Sequence, residues 1–108
     1  PIYTIDKFQL NEKGQNQNIS AMAMAGNYLL VGFNSNDQAE LGGLFWADIS
    51  KGIPEKWQSY HEKSEHGLTI NQIAVDPSNK SRAYIATTKG FLIFENNDLV
   101  EPISGKGK

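Results

Sequence analysis

One seven-residue pattern occurs twice in this chain, as Asn18-Ile19-Ser20-Ala21-Met22-Ala23-Met24 and as Thr69-Ile70-Asn71-Gln72-Ile73-Ala74-Val75. Each copy is followed by two further segments of matching character. The second segments are Tyr28-Leu29-Leu30-Val31-Gly32 and Ala83-Tyr84-Ile85-Ala86-Thr87, and the third are Gly42-Gly43-Leu44-Phe45-Trp46 and Lys89-Gly90-Phe91-Leu92-Ile93-Phe94. Ile19 and Ile70 are 51 residues apart, and Gly43 and Gly90 are 47 apart. A period of this length indicates a repeated structural unit.

Each copy divides into four short strand-like segments separated by turn residues. The predicted strands cover residues 19–25, 28–33, 44–49 and 56–60 in the first copy, and 69–75, 82–88, 90–95 and 99–103 in the second. The first three strands of each copy are apolar on nearly every residue, which favours sheets that are covered on both faces. The expected fold is therefore all-β, with two four-stranded antiparallel propeller blades. A small β-sandwich is the alternative, because eight or nine short strands also suit one.

The repeat also sets the expected division of the chain. Residues 1–18 are an N-terminal strand and linker, residues 19–61 the first blade, residues 69–103 the second blade, and residues 104–108 a flexible tail. Because about four to eight blades close a propeller, two blades are part of a larger ring or its assembling unit. The expected partners are further blades from the same chain or from another chain.

Composition excludes several classes of protein. The chain has 108 residues and a formal net charge of −2, with no stripe of Lys and Arg, so we expect no nucleic-acid partner. No apolar run approaches the roughly 18 residues of a membrane span. The absence of cysteine excludes disulfides and Cys-ligated metals. The many small polar residues and 10 glycines favour an extracytoplasmic β protein.

The second copy resembles a known family. Thr69-Ile70-Asn71-Gln72-Ile73-Ala74-Val75-Asp76-Pro77-Ser78-Asn79, followed by Arg82-Ala83-Tyr84-Ile85-Ala86-Thr87-Thr88-Lys89-Gly90-Phe91, resembles the blade consensus of sialidase-like (BNR-type) β-propellers. The resemblance implies a blade and carries little information about activity. Neither copy contains the Ser-x-Asp-x-Gly-x-Thr-Trp Asp-box. The arginine triad of sialidases needs three arginines, and Arg82 is the only arginine in this chain.

Two polar loops are the candidate binding surface. His61-Glu62-Lys63-Ser64-Glu65-His66 concentrates titratable side chains, but its spacing suits neither one helix face nor one strand face, so we expect a solvated loop rather than a metal site. The loop at residues 34–40 lacks the Asp and Gly positions of an EF-hand, so we expect a hairpin loop. The predicted binding residues, together with the turns at residues 26–27 and 76–80, are Asn34, Asn36, Asp37, Glu40, Trp57, His61, Glu65 and His66. No catalytic residue, metal or cofactor is predicted.

Large aromatic side chains allow two interpretations. Trp46, Trp57, Tyr28 and Tyr60 would suit a sugar-stacking platform, but such residues more often pack between sheets. Trp57 and Tyr60 are three residues apart on one strand and therefore lie on opposite faces. We interpret these aromatics as contacts between blades.

The sequence leaves three functional hypotheses. The first is a non-catalytic propeller module that acts as a binding or scaffold unit for a protein or glycan ligand. The second is a segment of a sialidase-like or other glycan-processing enzyme whose catalytic residues lie outside this chain. The third is a small lectin that closes a ring from several copies. Carboxylates such as Asp76 and Glu95 have no nucleophile or base beside them in the sequence, and Asp76-Pro77 is better explained as a turn.

Overall fold

The structure is a computed structural model that describes residues 18–35, 42–52, 57–60 and 67–100. Within these ranges the chain forms strands and turns and contains no helix. The strands are β1 (Asn18–Ala25), β2 (Tyr28–Asn34), β3 (Gly43–Asp48), β4 (Gln58–Tyr60), β5 (Ile70–Asp76), β6 (Asn79–Thr87), β7 (Gly90–Glu95) and β8 (Asp98–Val100).

The strands form two four-stranded antiparallel sheets, which confirms the predicted fold class. Sheet 1 has the order β1-β2-β3-β4 and sheet 2 the order β5-β6-β7-β8. In each sheet every strand pairs with the strand that follows it in the chain. This meander is consistent with a propeller-like blade, and among the described strands no Greek-key connection of the kind typical of a sandwich is found.

Strand limits depart from the prediction mainly at β6. The strand begins at Asn79 rather than at residue 82, because Pro77 and Ser78 alone make the turn and Asn79 already pairs with Asp76. Arg82 therefore lies inside a strand and not at a turn. Residues 1–17 of the predicted N-terminal strand and linker and the tail at residues 104–108 lie outside the described residues, and β8 is described only as far as Val100.

The two sheets repeat the same register. Both first strands are irregular at the same place, between Ile19 and Ala21 in β1 and between Ile70 and Gln72 in β5. Beyond it, Met22 pairs with Val31 as Ile73 pairs with Ile85. The third strands also correspond: Gly43 of β3 pairs with Phe33, and Gly90 of β7 pairs with Thr87.

These pairings change the alignment of the second strands. When the two quoted segments are set side by side, Tyr28 stands opposite Ala83. The observed registers instead match Leu29 with Ala83 and Leu30 with Tyr84, a shift of one residue. Because side chains alternate along a strand, one residue exchanges the two faces. The shift therefore decides which residues of the two sheets are equivalent.

The sheets pack face to face, with β5 against β1 and β2. The aromatic ring of Phe94 lies between those of Tyr28 and Trp46, with centroid separations of 5.6 and 5.7 Å. Edge contacts of this kind add to the free energy of burial. The fully or nearly fully buried residues of this core are Ala25, Leu30, Leu44, Trp46, Leu68, Ile70, Ala83, Ile85, Leu92 and Phe94.

Side-chain size changes across the interface between the sheets. Gly32 of β2 lies so close to Ile70 of β5 that a Cβ added to Gly32 would overlap the isoleucine side chain. Farther out, Trp46 and Phe94 fill the space. Small residues at one edge and aromatic residues at the other are what two sheets need when they diverge like a wedge.

Backbone hydrogen bonds join the sheets at both ends of the stack. At one end the Gly26 amide donates to the Lys80 carbonyl over 2.7 Å, and at the other the Gly43 amide donates to the Leu68 carbonyl over 2.7 Å. Gly26 has φ +63°, a value that favours glycine in this turn. These bonds fix how far one sheet is displaced along the other.

Candidate functional site

The registers define equivalent faces on the two sheets. We call the face of sheet 1 that contacts sheet 2 the front face, and we give the same name to the equivalent face of sheet 2. The front face carries Leu30, Leu44 and Trp46 in sheet 1 and Tyr84, Phe91 and Ile93 in sheet 2. The back face carries Met22, Val31 and Phe45 in sheet 1 and Ile73, Ile85 and Leu92 in sheet 2.

The interface joins the front face of one sheet to the back face of the other. Leu30 and Leu44 of the sheet 1 front face are fully buried, as is Ile85 of the sheet 2 back face. Equal faces do not meet, so the arrangement is head to tail. The sheet 2 front face and the sheet 1 back face consequently point away from the contact between the sheets. On the sheet 1 back face, Val31 and Phe33 are nevertheless buried in a second cluster with Phe45 and Trp57.

The exposed large hydrophobic side chains of the described residues all lie on these two faces. The sheet 2 front face exposes 47% of Phe91 and 48% of Val100, and the sheet 1 back face exposes 58% of Ile19, 61% of Met22 and 44% of Met24. Exposed apolar patches commonly mark interaction sites. These two faces are therefore the candidate functional surfaces of the chain.

The sheet 2 front face combines an aromatic pair with a charged network. The rings of Tyr84 and Phe91 stack with a centroid separation of 6.2 Å and an interplanar angle of 14°. The Tyr84 hydroxyl donates to Oδ2 of Asp76 over 2.7 Å. Adjacent to it, Nε and Nη2 of Arg82 donate to the two carboxylate oxygens of Glu95 over 3.1 and 3.3 Å.

Hydrogen bonds hold the charged forms of these groups. The backbone amide of Ser78, the Tyr84 hydroxyl and the Ser78 hydroxyl lower the pKa of Asp76, which is buried at the end of β5. Hydrogen bonds to Glu95 raise the pKa of Arg82. Nη1 of Arg82 also lies 3.7 Å from Oδ2 of Asp76, so the guanidinium lies between two carboxylates.

This network bears on the enzyme hypothesis. A sialidase arginine binds the substrate carboxylate, ideally in bidentate fashion. Here Glu95 already occupies the guanidinium in that geometry. The network could not be predicted from the sequence, because Asp76, Arg82 and Glu95 are brought together only by the pairing of β5, β6 and β7.

Two of the predicted binding residues fall within the described ranges, and both contact neighbouring parts of the chain. Oδ1 of Asn34 accepts a hydrogen bond from the Thr69 hydroxyl over 3.3 Å, at the end of the stack. Trp57 is half-buried against Val31 and Phe33 on the sheet 1 back face. The remaining predicted residues lie outside the described ranges, namely Asn36, Asp37, Glu40, His61, Glu65 and His66.

The aromatic residues divide between the faces as predicted. Tyr60 packs with the core between the sheets, whereas Trp57 packs on the opposite face of sheet 1 and is not the contact between these two sheets that was expected. Trp46 is buried, and its indole N–H donates to Oδ1 of Asn97 over 3.0 Å. The interpretation of Trp46 and Tyr28 as contacts between sheets is confirmed by their rings against Phe94.

Two of the predicted turns meet at one end of the stack. The amide of Gly26 donates to the carbonyl of Lys80, which joins the turn at residues 26–27 to the start of β6, directly after the turn at Pro77 and Ser78. The predicted turn at residues 76–80 is therefore shorter than expected. A Cβ built on Gly26 would lie 3.7 Å from the Cβ of Ser81. The sequence predicted both turns but not their contact.

Some functional features are not found among the described residues. The described residues contain no group of three His, Cys, Asp or Glu side chains that could hold a metal ion. They also contain no helix that is long and apolar enough to cross a membrane. Comparison of the chain with protein-family models, curated proteins and solved structures finds no match.

Proposed function

We propose that this chain is a pair of consecutive blades of a sialidase-like β-propeller and acts as a non-catalytic binding or scaffold unit. The proposal combines the blade-like meander of each sheet with the resemblance of residues 69–91 to the blade consensus. Blades in a propeller surround a common axis, and every blade presents one face to the blade before it and the other face to the blade after it.

The head-to-tail contact between the sheets is the observation that supports this proposal. In a face-to-face sandwich, related sheets can meet through any pair of faces. Repetition around a ring requires the front face of one unit to meet the back face of the next. Leu30 of the sheet 1 front face and Ile85 of the sheet 2 back face are both buried in that contact.

The change in side-chain size across the interface supports the same arrangement. Sheets that radiate from an axis lie closest at their inner strands and diverge outward. Gly32 of β2 against Ile70 of β5 provides a close approach beside the inner strands, and Trp46 against Phe94 fills the space toward the outer strands. In this interpretation β1 and β5 are the innermost strands.

The state of the arginine supports a non-catalytic role. Bidentate contact with Glu95 and proximity to Asp76 hold Arg82 in place. Releasing it for a substrate carboxylate would leave both acidic side chains without their cation. We therefore expect Arg82 to stabilise sheet 2 rather than to bind a substrate.

A cysteine pair and an activity assay test the two parts of this proposal. Gly26→Cys with Ser81→Cys places two Cβ atoms 3.7 Å apart, within the range of disulfides, although a side chain at Gly26 costs about 1–2 kcal/mol in its left-handed conformation. Since the chain has no other cysteine, oxidation should form one intramolecular disulfide, seen in an intact mass and a peptide map. Failure to form it in a folded protein would contradict the stacking of the sheets.

The assay measures hydrolysis of sialosides and simple glycosides by the unmodified chain. We expect no turnover. Turnover that disappears in Arg82→Ala while the β-sheet circular dichroism is retained would overturn the non-catalytic role and favour the glycan-processing enzyme.

A further inference from the structure

We propose that Asn97 is a positioning residue that holds the outer strands of the two sheets together and gives their stacking a direction. Its side-chain oxygen accepts hydrogen bonds from Trp46 and Gln58 of sheet 1, and we call these three residues the clasp. The proposal goes beyond the proposed function, because it concerns the contact between the two described sheets and holds whether or not further sheets complete a ring.

The clasp joins β3 and β4 of sheet 1 to the last turn of sheet 2. Trp46 and Gln58 are cross-strand partners, so the two donors lie side by side. Asn97 lies in the turn between β7 and β8. Nε1 of Trp46 and Nε2 of Gln58 each lie 3.0 Å from Oδ1 of Asn97. Because an amide oxygen has two lone pairs, a single acceptor satisfies both donors.

The bond from Trp46 is the more important of the two. Gln58 and Asn97 are exposed, so water competes for the bond between them. Trp46 is only 5% exposed, and its ring contacts that of Phe94. A buried N–H that loses its acceptor has given up water and gains nothing in return, which destabilises the folded state. The indole of Trp46 therefore favours a covering surface that carries an acceptor at this point, as sheet 2 does.

The backbone of the turn limits which residues can supply that acceptor. Asn97 has φ 65°, in the left-handed region, and Asn96 before it has φ 53°. Glycine suits this conformation but has no side-chain oxygen, whereas asparagine both tolerates the conformation and carries the oxygen. The turn and the clasp thus make different demands, and asparagine meets both.

Sheet 2 lacks the donors at the equivalent positions of its own front face. Ile93 of β7 pairs with Val100 of β8, as Trp46 pairs with Gln58 in sheet 1. Neither aliphatic side chain donates a hydrogen bond. Sheet 2 could therefore not take the place of sheet 1 in this contact without loss of both bonds. Specificity between similar surfaces commonly depends on such a penalty, and one buried polar residue fixes the partner and register of some coiled coils in this way.

The experiment compares Asn97→Gly with Asn96→Gly. Both variants place glycine at a left-handed position of the same turn, but only the first removes the acceptor of the clasp. The chain has two tryptophans, so its proton–nitrogen correlation spectrum contains two indole resonances, and Trp46→Phe identifies which belongs to Trp46. We expect the Trp46 indole proton to exchange with solvent about three- to tenfold faster in Asn97→Gly, as loss of one hydrogen bond predicts, and at the parental rate in Asn96→Gly.

Rescue and coupling separate the clasp from a general loss of stability. Asn97→Asp keeps an acceptor oxygen and a residue type that tolerates left-handed φ, so it should retain the slow exchange of the indole proton. Trp46→Phe keeps an aromatic ring but has no donor. Asn97→Gly should therefore lower the denaturant midpoint less in the Trp46→Phe background than in the parent. If Asn97→Gly alone does not fold, a folded double variant supports the clasp, and an unfolded one contradicts it.

Three results would overturn this inference. The first is parental exchange of the Trp46 indole proton in Asn97→Gly. The second is an equal effect of Asn96→Gly, which would assign the change to the backbone of the turn. The third is strict additivity of the midpoint shifts of Trp46→Phe and Asn97→Gly. The intramolecular 26–81 disulfide tests the stacking of the sheets independently, so the proposed function would stand if that bond forms while the clasp fails.

Discussion

Replacement of Gly32 by alanine tests the close approach of the two sheets. The added Cβ would lie 2.4 Å from Cγ2 and 2.5 Å from Cβ of Ile70, whereas non-bonded carbon atoms normally lie about 3.5–4.0 Å apart. Ile70 is fully buried at the narrow edge of the stack, so it has no open space to move into. Overpacking of this kind costs about 1–3 kcal/mol, and we expect Gly32→Ala to lower the free energy of unfolding by that amount.

A double-mutant cycle separates this contact from a general loss of stability. Ile70→Ala alone removes two of the three atoms that the new methyl group meets and should cost about 2–5 kcal/mol as a cavity. The combined variant should be more stable than the sum of the single changes predicts, by about 0.5–3 kcal/mol. Denaturant midpoints at fixed protein concentration, with unchanged m-values, measure the effect. Strict additivity, or a Gly32→Ala variant as stable as the parent, would refute the proposed close approach.

The remaining predictions concern the core and the charged network. Trp46→Ala should lower the free energy of unfolding by about 3–5 kcal/mol, because it removes a buried ring, and Ile73→Ala should cost less because Ile73 is only partly buried; thermal melts within a degree or two of the parent for both variants would contradict this. The lowered pKa of Asp76 means that its ionised form stabilises the fold above about pH 4, the usual pKa in an unfolded chain, and that this contribution is lost as the pH falls through the folded-state value. The stability difference between the parent and Asp76→Asn should therefore be present at pH 7 and disappear toward pH 2, and a pH-independent difference would rule out the ionic contribution.

The repeat pattern predicted which segments become strands and in which order. Strand propensity and turn geometry depend on neighbouring residues, so they can be predicted from a local stretch of sequence. The apolar segments that are separated by Gly26-Asn27 and Asn96-Asn97 are signals of this kind. Asn96 and Asn97 do adopt positive φ, at 53° and 65°. Most predicted strand limits accordingly lie within one or two residues of the observed ones.

The candidate surfaces were less accessible to sequence analysis. The predicted binding residues were chosen from polar loops, because loops commonly carry function. The exposed Phe91 and Met22 belong to strands whose composition is as apolar as that of the buried strands. Composition alone does not distinguish a covered strand face from an uncovered one, so these residues could not be predicted.

The sequence by itself determined that the chain forms two similar all-β units and that Arg82 is its single arginine. Only the tertiary structure decided which faces meet. The alignment of β2 with its equivalent β6 is shifted by one residue, and such a shift exchanges the two faces of a strand. The shift is visible only in the hydrogen-bond registers, which join residues that are distant in the sequence. The partners of Arg82 and the bond from Trp46 to Asn97 have the same origin. They depend on strands that are paired and stacked across the fold, which no local stretch of sequence specifies.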